Sequence, residues 1–322
     1  MTEVALIGAA RSGDEEAFVR LTAPHRAALH AHCYRLLGSL HDADDAMQET
    51  LLRAWRGLEG FEPRAPLVAW LYRIATNVSL RMLEQRKRGA VVDAHLEPYP
   101  EQLIAELPST DVGPDSVVES REAIGLAFVA AVQLLPPKQR AVLVLRDVLG
   151  WSAREVAGLL DDTVAAVNSA LQRARARVER EQGQRSLARA HRPANDRVEA
   201  LLMRRFQEAW DAVDIDGLVA LLAGDALMTM PPEAMRISGS VEIGSFFGTV
   251  PLDGRLDRIR LLLGSANGQP TLAAYAEDPT ADRFGAYGIM VFAIDGDRIA
   301  GITGFPQPEL FSRLGFPHEL ER

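Results

Sequence analysis

Over residues 14–182 the apolar positions recur at three- and four-residue intervals, the period of amphipathic helices. From Ala226 on, short runs of strand character take over. Residues 14–38 read as a helical region with Phe18, Leu21, Leu29, Tyr34 and Leu37 inward. A turn at 38–41 follows, and Asp42 caps a helix running to Trp55 with Ala43, Met47, Leu51 and Ala54 as its stripe. Asp45, Gln48, Glu49 and Arg53 fall on its other faces, which spacing alone makes solvated. The segment 57–66 carries Gly60, Pro63 and Pro66 and is a loop. Residues 67–86 form the next helix, with Leu67, Leu71, Ile74, Val78 and Met82 as its seam. Arg73, Asn77 and Arg81 make a second stripe four residues apart, suited to phosphate contacts with a base edge read between them. Trp70 reads either as core or as a platform for an unstacked base.

Residues 89–119 hold four prolines and weak periodicity, the grammar of an extended linker. Helical spacing resumes over 120–148 and leads into a helix, a turn and a second helix. Ser152 and Glu155 have the spacing of a capping box, and Val156, Leu159 and Leu160 form the first helix's buried side. Asp161-Asp162-Thr163 breaks it, and Thr163 caps the second. There Val164, Val167, Leu171, Ala174 and Val178 turn inward. The opposite face carries Ala166, Asn168, Ser169, Gln172 and Arg173, then Arg175, Arg177 and Arg180. Two solvated bundle helices would mix charges rather than place amides and then arginines. The pattern is that of a helix-turn-helix whose second helix enters a major groove.

A second linker spans 183–196. Beyond it come helices over 197–213 and 216–222, then strands near 226–230, 235–238, 256–263, 271–276, 284–294 and 299–305, with a small helix at 241–247. Asp295-Gly296 marks a tight hairpin. Helices followed by a curved antiparallel sheet make an α+β domain.

The net charge of −9 runs against a nucleic-acid partner until its distribution is considered. Residues 163–192 hold seven arginines and two glutamates, whereas 89–120 hold seven acids and no Lys or Arg. Local fields steer DNA, so an acidic chain with a basic stripe can still dock a duplex. The single cysteine, Cys33, excludes an intrachain disulfide framework and reads as a small core residue. No secretory signal and no membrane span is visible, so a cytoplasmic setting is expected.

Taken together, residues 1–182 resemble the extracytoplasmic-function branch of the sigma-70 family of RNA polymerase initiation factors. The resemblance is carried by Asp42-Ala43-Asp44-Asp45-Ala46-Met47-Gln48-Glu49-Thr50-Leu51-Leu52-Arg53-Ala54-Trp55, by Trp70-Leu71-Tyr72-Arg73-Ile74-Ala75-Thr76-Asn77 and by Leu135-Pro136-Pro137-Lys138-Gln139-Arg140. Val156-Ala157-Gly158-Leu159-Leu160 and Ser169-Ala170-Leu171-Gln172-Arg173-Ala174-Arg175 add to it. It implies two all-α sigma domains, region 2 over 1–89 and region 4 over 120–182, joined by the acidic linker 90–119, which would thread toward the polymerase active centre.

Asp45, Gln48 and Glu49 would contact the clamp of the polymerase's largest subunit, and region 4 the flap of the second subunit. The loop 57–65, with Phe61 and Arg64, would capture a flipped base of the −10 element beside Trp70, Arg73, Asn77 and Arg81. Thr163, Ala166, Asn168, Ser169, Gln172, Arg173 and Arg175 would read the −35 element. Two positions depart from the family: Asp161 stands where glycine is usual, and Asn168 where many members are basic.

Through Trp210-Asp211-Ala212-Val213-Asp214-Ile215-Asp216-Gly217-Leu218, Thr229-Met230-Pro231-Pro232 and Ala266-Asn267-Gly268-Gln269-Pro270, residues 197–322 resemble the SnoaL-like, cone-shaped α+β domain that some members of this branch carry. Between residues 197 and 317 there is neither His nor Cys, so catalysis is not expected, and neither is a metal or other cofactor. Asp211, Asp214 and Glu277 are the remaining acids of interest. A regulatory pocket of Trp210, Met228, Met230, Tyr275, Tyr287 and Met290 is expected there, with a purely structural core as the alternative. The implied partners are core polymerase, promoter DNA, and an anti-sigma protein or a small-molecule ligand. The rival reading is a one-component helix-turn-helix regulator with a ligand-sensing C-terminal domain, for which residues 42–88 would have no use.

Overall fold

The computed structural model describes residues 2–62, 66–88, 96–107, 124–184, 196–233 and 235–322. It divides into two compact units. The first is helical and holds residues 1–92, 103–123 and 132–178; the second holds 93–102, 124–131 and 179–322.

In the helical unit, α1 (Glu3–Arg11) and α2 (Glu15–Thr22) are capped by Thr2 and Asp14. The helical region expected over 14–38 is interrupted by a 3-10 turn at Ala23–His25, where Pro24 takes a first-turn position, before α3 (Arg26–Leu37). That helix is buried along its whole second half and ends on Gly38 at φ +76°. A Cβ at Gly38 would also lie 2.7 Å from Gln133 Cδ, so the left-handed backbone favours glycine and any side chain there would displace Gln133. Ser39 caps α4 (Leu40–Gly57), and α5 (Leu67–Arg88) crosses it.

A buried polar chain stitches α3 to α5. The Thr76 hydroxyl donates to the Tyr72 carbonyl at 2.7 Å, so its oxygen accepts from His32 Nε2 at 2.8 Å. His32 Nδ1 is left without a partner in a fully buried ring, and burial pulls the imidazole's pKa down to about 3. The ring is therefore neutral at physiological pH.

The acidic linker is not uniformly extended. It contains a short helix, α6 (Glu101–Ala105). After it come α7 (Leu126–Gln133) and α8 (Pro137–Leu143), which passes into a π turn at Val144–Val148. Then α9 (Ala153–Leu160) and α10 (Val164–Gln184) complete the helical series.

The second unit begins its main body with α11 (Asp196–Asp211) and α12 (Ile215–Leu221). Strands β1 (Leu222–Met230) and β2 (Met235–Ser238) follow, then α13 (Ser240–Thr249). Strands β3 (Ile259–Ala266), β4 (Gln269–Glu277), β5 (Arg283–Asp295) and β6 (Arg298–Phe305) run consecutively. A short α14 (Leu310–Arg313) and an unanticipated β7 (Glu319–Glu321) close the chain. The sheet order is β2-β1-β6-β5-β4-β3. It is not wholly antiparallel, because β6 returns beside β1 in the same direction. β7 pairs with the first residues of β5, on the edge whose later residues β6 occupies.

One face of this sheet packs under α11, α12 and α13 through Phe206, Trp210, Phe247, Met228, Met290 and Phe292, all buried. Phe206 and Trp210 stack at 5.9 Å, and Phe247 and Phe292 meet them edge-on. These side chains form one buried apolar cluster between the sheet and the helices.

Candidate nucleic-acid interface

The helix-turn-helix forms through local chemistry. Ser152 Oγ accepts from the Glu155 amide at 3.3 Å while the Glu155 carboxylate accepts from the Ser152 amide at 2.7 Å, a complete capping box. Those hydrogen bonds hold the Glu155 carboxyl below its usual range. Asp161 adopts φ 52°, ψ 54°, so aspartate serves where glycine is usual. Asp162 pairs with Lys138 at 2.5 Å, and Thr163 Oγ1 accepts from the Ala166 amide at 3.1 Å.

On α10, Val167, Ala170, Leu171, Ala174 and Val178 are buried, whereas Val164 is 43% exposed, since it sits in the first turn ahead of the packed stripe. Asn168, Ser169, Gln172 and Arg173 are exposed along one side, with Ala166 half-buried at its margin. Arg173 donates to Ser169 Oγ at 2.6 Å. Arg175 differs from the rest of the set. It makes a two-pronged contact with Asp147 at 2.6 and 2.8 Å, so its guanidinium is already engaged within the protein.

Arg73, Asn77 and Arg81 are all exposed on α5 in one stripe. Phe61 is buried and lies 5.0 Å from the half-buried Trp70, so it backs the indole rather than facing solvent. Arg64 lies outside the described residues. Arg11 Nε donates to the Leu58 carbonyl at 3.1 Å, and its Nη2 to the Phe61 carbonyl. This N-terminal arginine thus fixes the loop's first limb; no local sequence pattern pointed to it.

On α4, Asp45 and Gln48 are exposed and Glu49 half-buried, on one side of the helix. Glu49 accepts from Arg53 at 2.7 Å. Gln48 borders a groove of about 640 Å³ with Met47, Leu51 and the His30–Asp44 pair, and Leu103 and Glu106 of the linker stand on its rim.

Of the six residues expected to line a pocket in the second unit, four come together and Tyr275 and Tyr287 lie elsewhere. Trp210, Met228 and Met290 belong to the packed core, with Met230 against it. The Trp210 indole N–H donates to the Ile259 carbonyl at 3.3 Å. Tyr275 packs on Phe311 and donates to the Pro317 carbonyl at 2.9 Å; it alternates with Leu272 and Ala274 and so lies on the sheet's other face. Tyr287 is the extra residue of a bulge and is 39% exposed. The acids have structural partners: Asp214 caps α12, and Glu277 pairs with Arg258 and Arg322, while Asp211 is exposed.

Instead the unit's most elaborate polar site is a clasp at the β3–β4 turn. Asn267 and Gly268, both at positive φ, make the tight turn. Asn267 Oδ1 accepts from the Tyr99 amide at 2.7 Å, its own amide donates to the Tyr99 carbonyl at 2.9 Å, and Nδ2 donates to the Ile124 carbonyl at 2.7 Å. Gln269 Oε1 accepts from the Leu126 amide at 2.9 Å, and the Gly268 amide donates to Glu101 at 3.0 Å. Tyr99 is fully buried. Two stretches of the chain expected to be free linker or region 4 helix are therefore part of the C-terminal unit.

A capped helix-turn-helix, an amide-bearing outer face and a separate cationic stripe on α5 define a DNA-binding protein with two reading elements. The Sigma-70 region 2 family matches residues 21–89, and Sigma-70 region 4 matches residues 125–178. The ECF RNA polymerase sigma factor SigG of Mycobacterium tuberculosis is 39% identical over 96% of this chain and 86% of its own length. CnrH of Cupriavidus metallidurans, an RNA polymerase sigma factor, is 35% identical over 54% of this chain and 90% of its own. The crystal structure of the M. tuberculosis extracytoplasmic-function sigma factor SigJ superposes with a TM-score of 0.63 at 24% identity, covering 91% of this chain and 97% of that one. The chain belongs to the ECF RNA polymerase sigma factors, with an α+β domain after the sigma regions. It is a promoter-specific initiation factor and not an enzyme; its partners are core polymerase and promoter DNA. Among the described residues no helix is long and apolar enough to cross a membrane.

Proposed function

We propose that this sigma factor reads promoters with two separate faces and that its C-terminal domain governs it by holding the interdomain linker. Asn168, Ser169, Gln172 and Arg173 of α10, with Thr163 and Ala166 at its start, face the −35 major groove. Arg175 contributes to phosphate binding only when it leaves Asp147. Arg73, Asn77 and Arg81, with Trp70 over Phe61 and with Arg64, take the opened −10 strand. Asp45, Gln48 and Glu49 dock on the polymerase clamp, whose helices suit the groove beside Gln48. The protein acts in the cytoplasm, beside polymerase and DNA.

The observation that carries the promoter reading is the pairing of an exposed amide face on α10 with an exposed cation-amide stripe on α5. A one-component repressor needs only the first. For regulation, the Asn267–Gln269 clasp supports an anchoring role, and the burial of Trp210, Met228 and Met290 in the packed core favours it over a ligand pocket lined by them. Transcription in vitro with purified core polymerase across a library of genomic promoters tests the function. Specific transcripts are expected, and their absence removes the reading. Combined Gln48→Ala and Glu49→Ala substitution should lower core affinity; an unchanged pull-down removes that face.

A further inference from the structure

One wall of the groove beside Gln48 is the linker itself. The floor is α4, where Asp44, Met47, Gln48 and Leu51 follow at three- and four-residue steps and so share one face. Arg26, Ala27 and His30 of α3 make a second side. Leu103 and Glu106, three residues apart and so on one side of α6 and the turn after it, make the third. The Leu107 amide donates to the Ile104 carbonyl at 3.1 Å and closes that turn. Ile104, 5% exposed, is the buried side of the same segment, and from Leu103 on the linker belongs to the helical unit.

These residues border the groove without filling it. About 640 Å³ stays open between them. Gln48 and Glu106 are exposed, and Leu51 and Leu103 half-buried. A linker that merely packed on region 2 would turn both leucines in and close the space, because apolar surface gains by leaving water. Here they keep surface that a partner can bury. The charge around them is acidic: Asp45, Glu49 and Glu106, with Asp44 beside His30, outweigh Arg26 and Arg53. The surface fits a partner that offers apolar side chains flanked by cations.

We infer that the linker stretch 103–107 is part of the polymerase-docking surface, with Leu103 and Glu106 forming the third wall of a groove that receives one element of the clamp against α4. The inference rests on the docking face proposed above for Asp45, Gln48 and Glu49. It changes the linker's part in the complex. A linker that threads toward the active centre along its whole length would leave region 2, whereas this stretch stays on it, between α4 and the polymerase. Its periodicity is too weak to mark a face in the sequence, so only the fold brings Leu103 and Glu106 to α4.

The test uses the full chain assembled with core polymerase and carrying a photo-crosslinking amino acid in place of Gln48 or of Glu106. Crosslinks from both positions to the same peptide of the largest subunit are expected. A crosslink from position 48 with none from 106, or with 106 reaching a different peptide, overturns the inference and leaves the docking face standing. Silence at position 48 removes the docking face, and the inference with it. Glu106→Arg, a change at an exposed position that leaves the fold intact, should weaken core binding roughly threefold to tenfold at low salt, with the loss shrinking as salt rises. Core affinity unchanged at low salt also overturns the inference.

Discussion

Two pairs of amides in this chain have the same chemistry and opposite surroundings. Asn168 and Gln172 stand on the outer face of α10 in solvent. Asn267 and Gln269 are 1% and 5% exposed at the β3–β4 turn, and their carbonyl and amino groups hold the backbone of Tyr99, Ile124, Leu126 and Phe292. A carboxamide presents donor and acceptor side by side, which matches a base edge as well as it matches a peptide group. What separates recognition from construction here is burial. The outer pair is available to a partner, whereas the inner pair would be costly to leave unmatched.

The widest break in that comparison is expected at the inner pair. Asn267→Ala strands the Tyr99 amide and the Ile124 carbonyl, and should weaken the clasp by about 3 kcal/mol. Hydrogen exchange at 96–102 and 124–126 should then accelerate by roughly 100-fold. Unchanged protection would mean the clasp does not hold the linker. At the outer pair, Asn168→Ala or Gln172→Ala should leave thermal stability alone and cost about 1–3 kcal/mol at a matched −35 site. Equal losses on every sequence would reassign them to phosphate contacts.

Histidine 32 offers a graded test of burial itself. The unfolded chain takes up its proton below about 6.5, but the folded ring resists until about 3, because protonation would bury an unpaired N–H. Its contribution to stability is therefore complete above pH 6.5 and is lost as pH falls from there toward 3. The expected slope is about 1.4 kcal/mol per pH unit. Denaturant titrations of wild type and His32→Gln should differ in that slope; identical slopes would place the ring in water.

The smallest effect belongs to Arg175, half-way between the two environments. Its contact with Asp147 is exposed, so Arg175→Ala should change stability by less than about 1 kcal/mol. Binding to DNA should lose about one unit of salt slope if the arginine switches to phosphate, and none if Asp147 keeps it.

The periodicity of α4, α5, α9 and α10, their caps and the turn at Asp161 were legible in the sequence because each depends on residues three or four apart. So was the exposure of the polar faces of α5 and α10, since an amphipathic helix presents what its stripe does not bury. The strands after Ala226 were legible too, as was the absence of His and Cys over 197–317. Other features depend on partners far away in the chain. Arg11 acts on Leu58 and Phe61, Arg140 on Leu36, and Asn267 on Tyr99 and Ile124. The parallel pairing of β1 with β6, the turning of Tyr275 away from Trp210, and the packing of the cone are of the same kind. Local sequence determines which face of an element is polar. Only the folded chain decides whether that face meets solvent, a partner or its own backbone, because burial comes from residues that no local window contains.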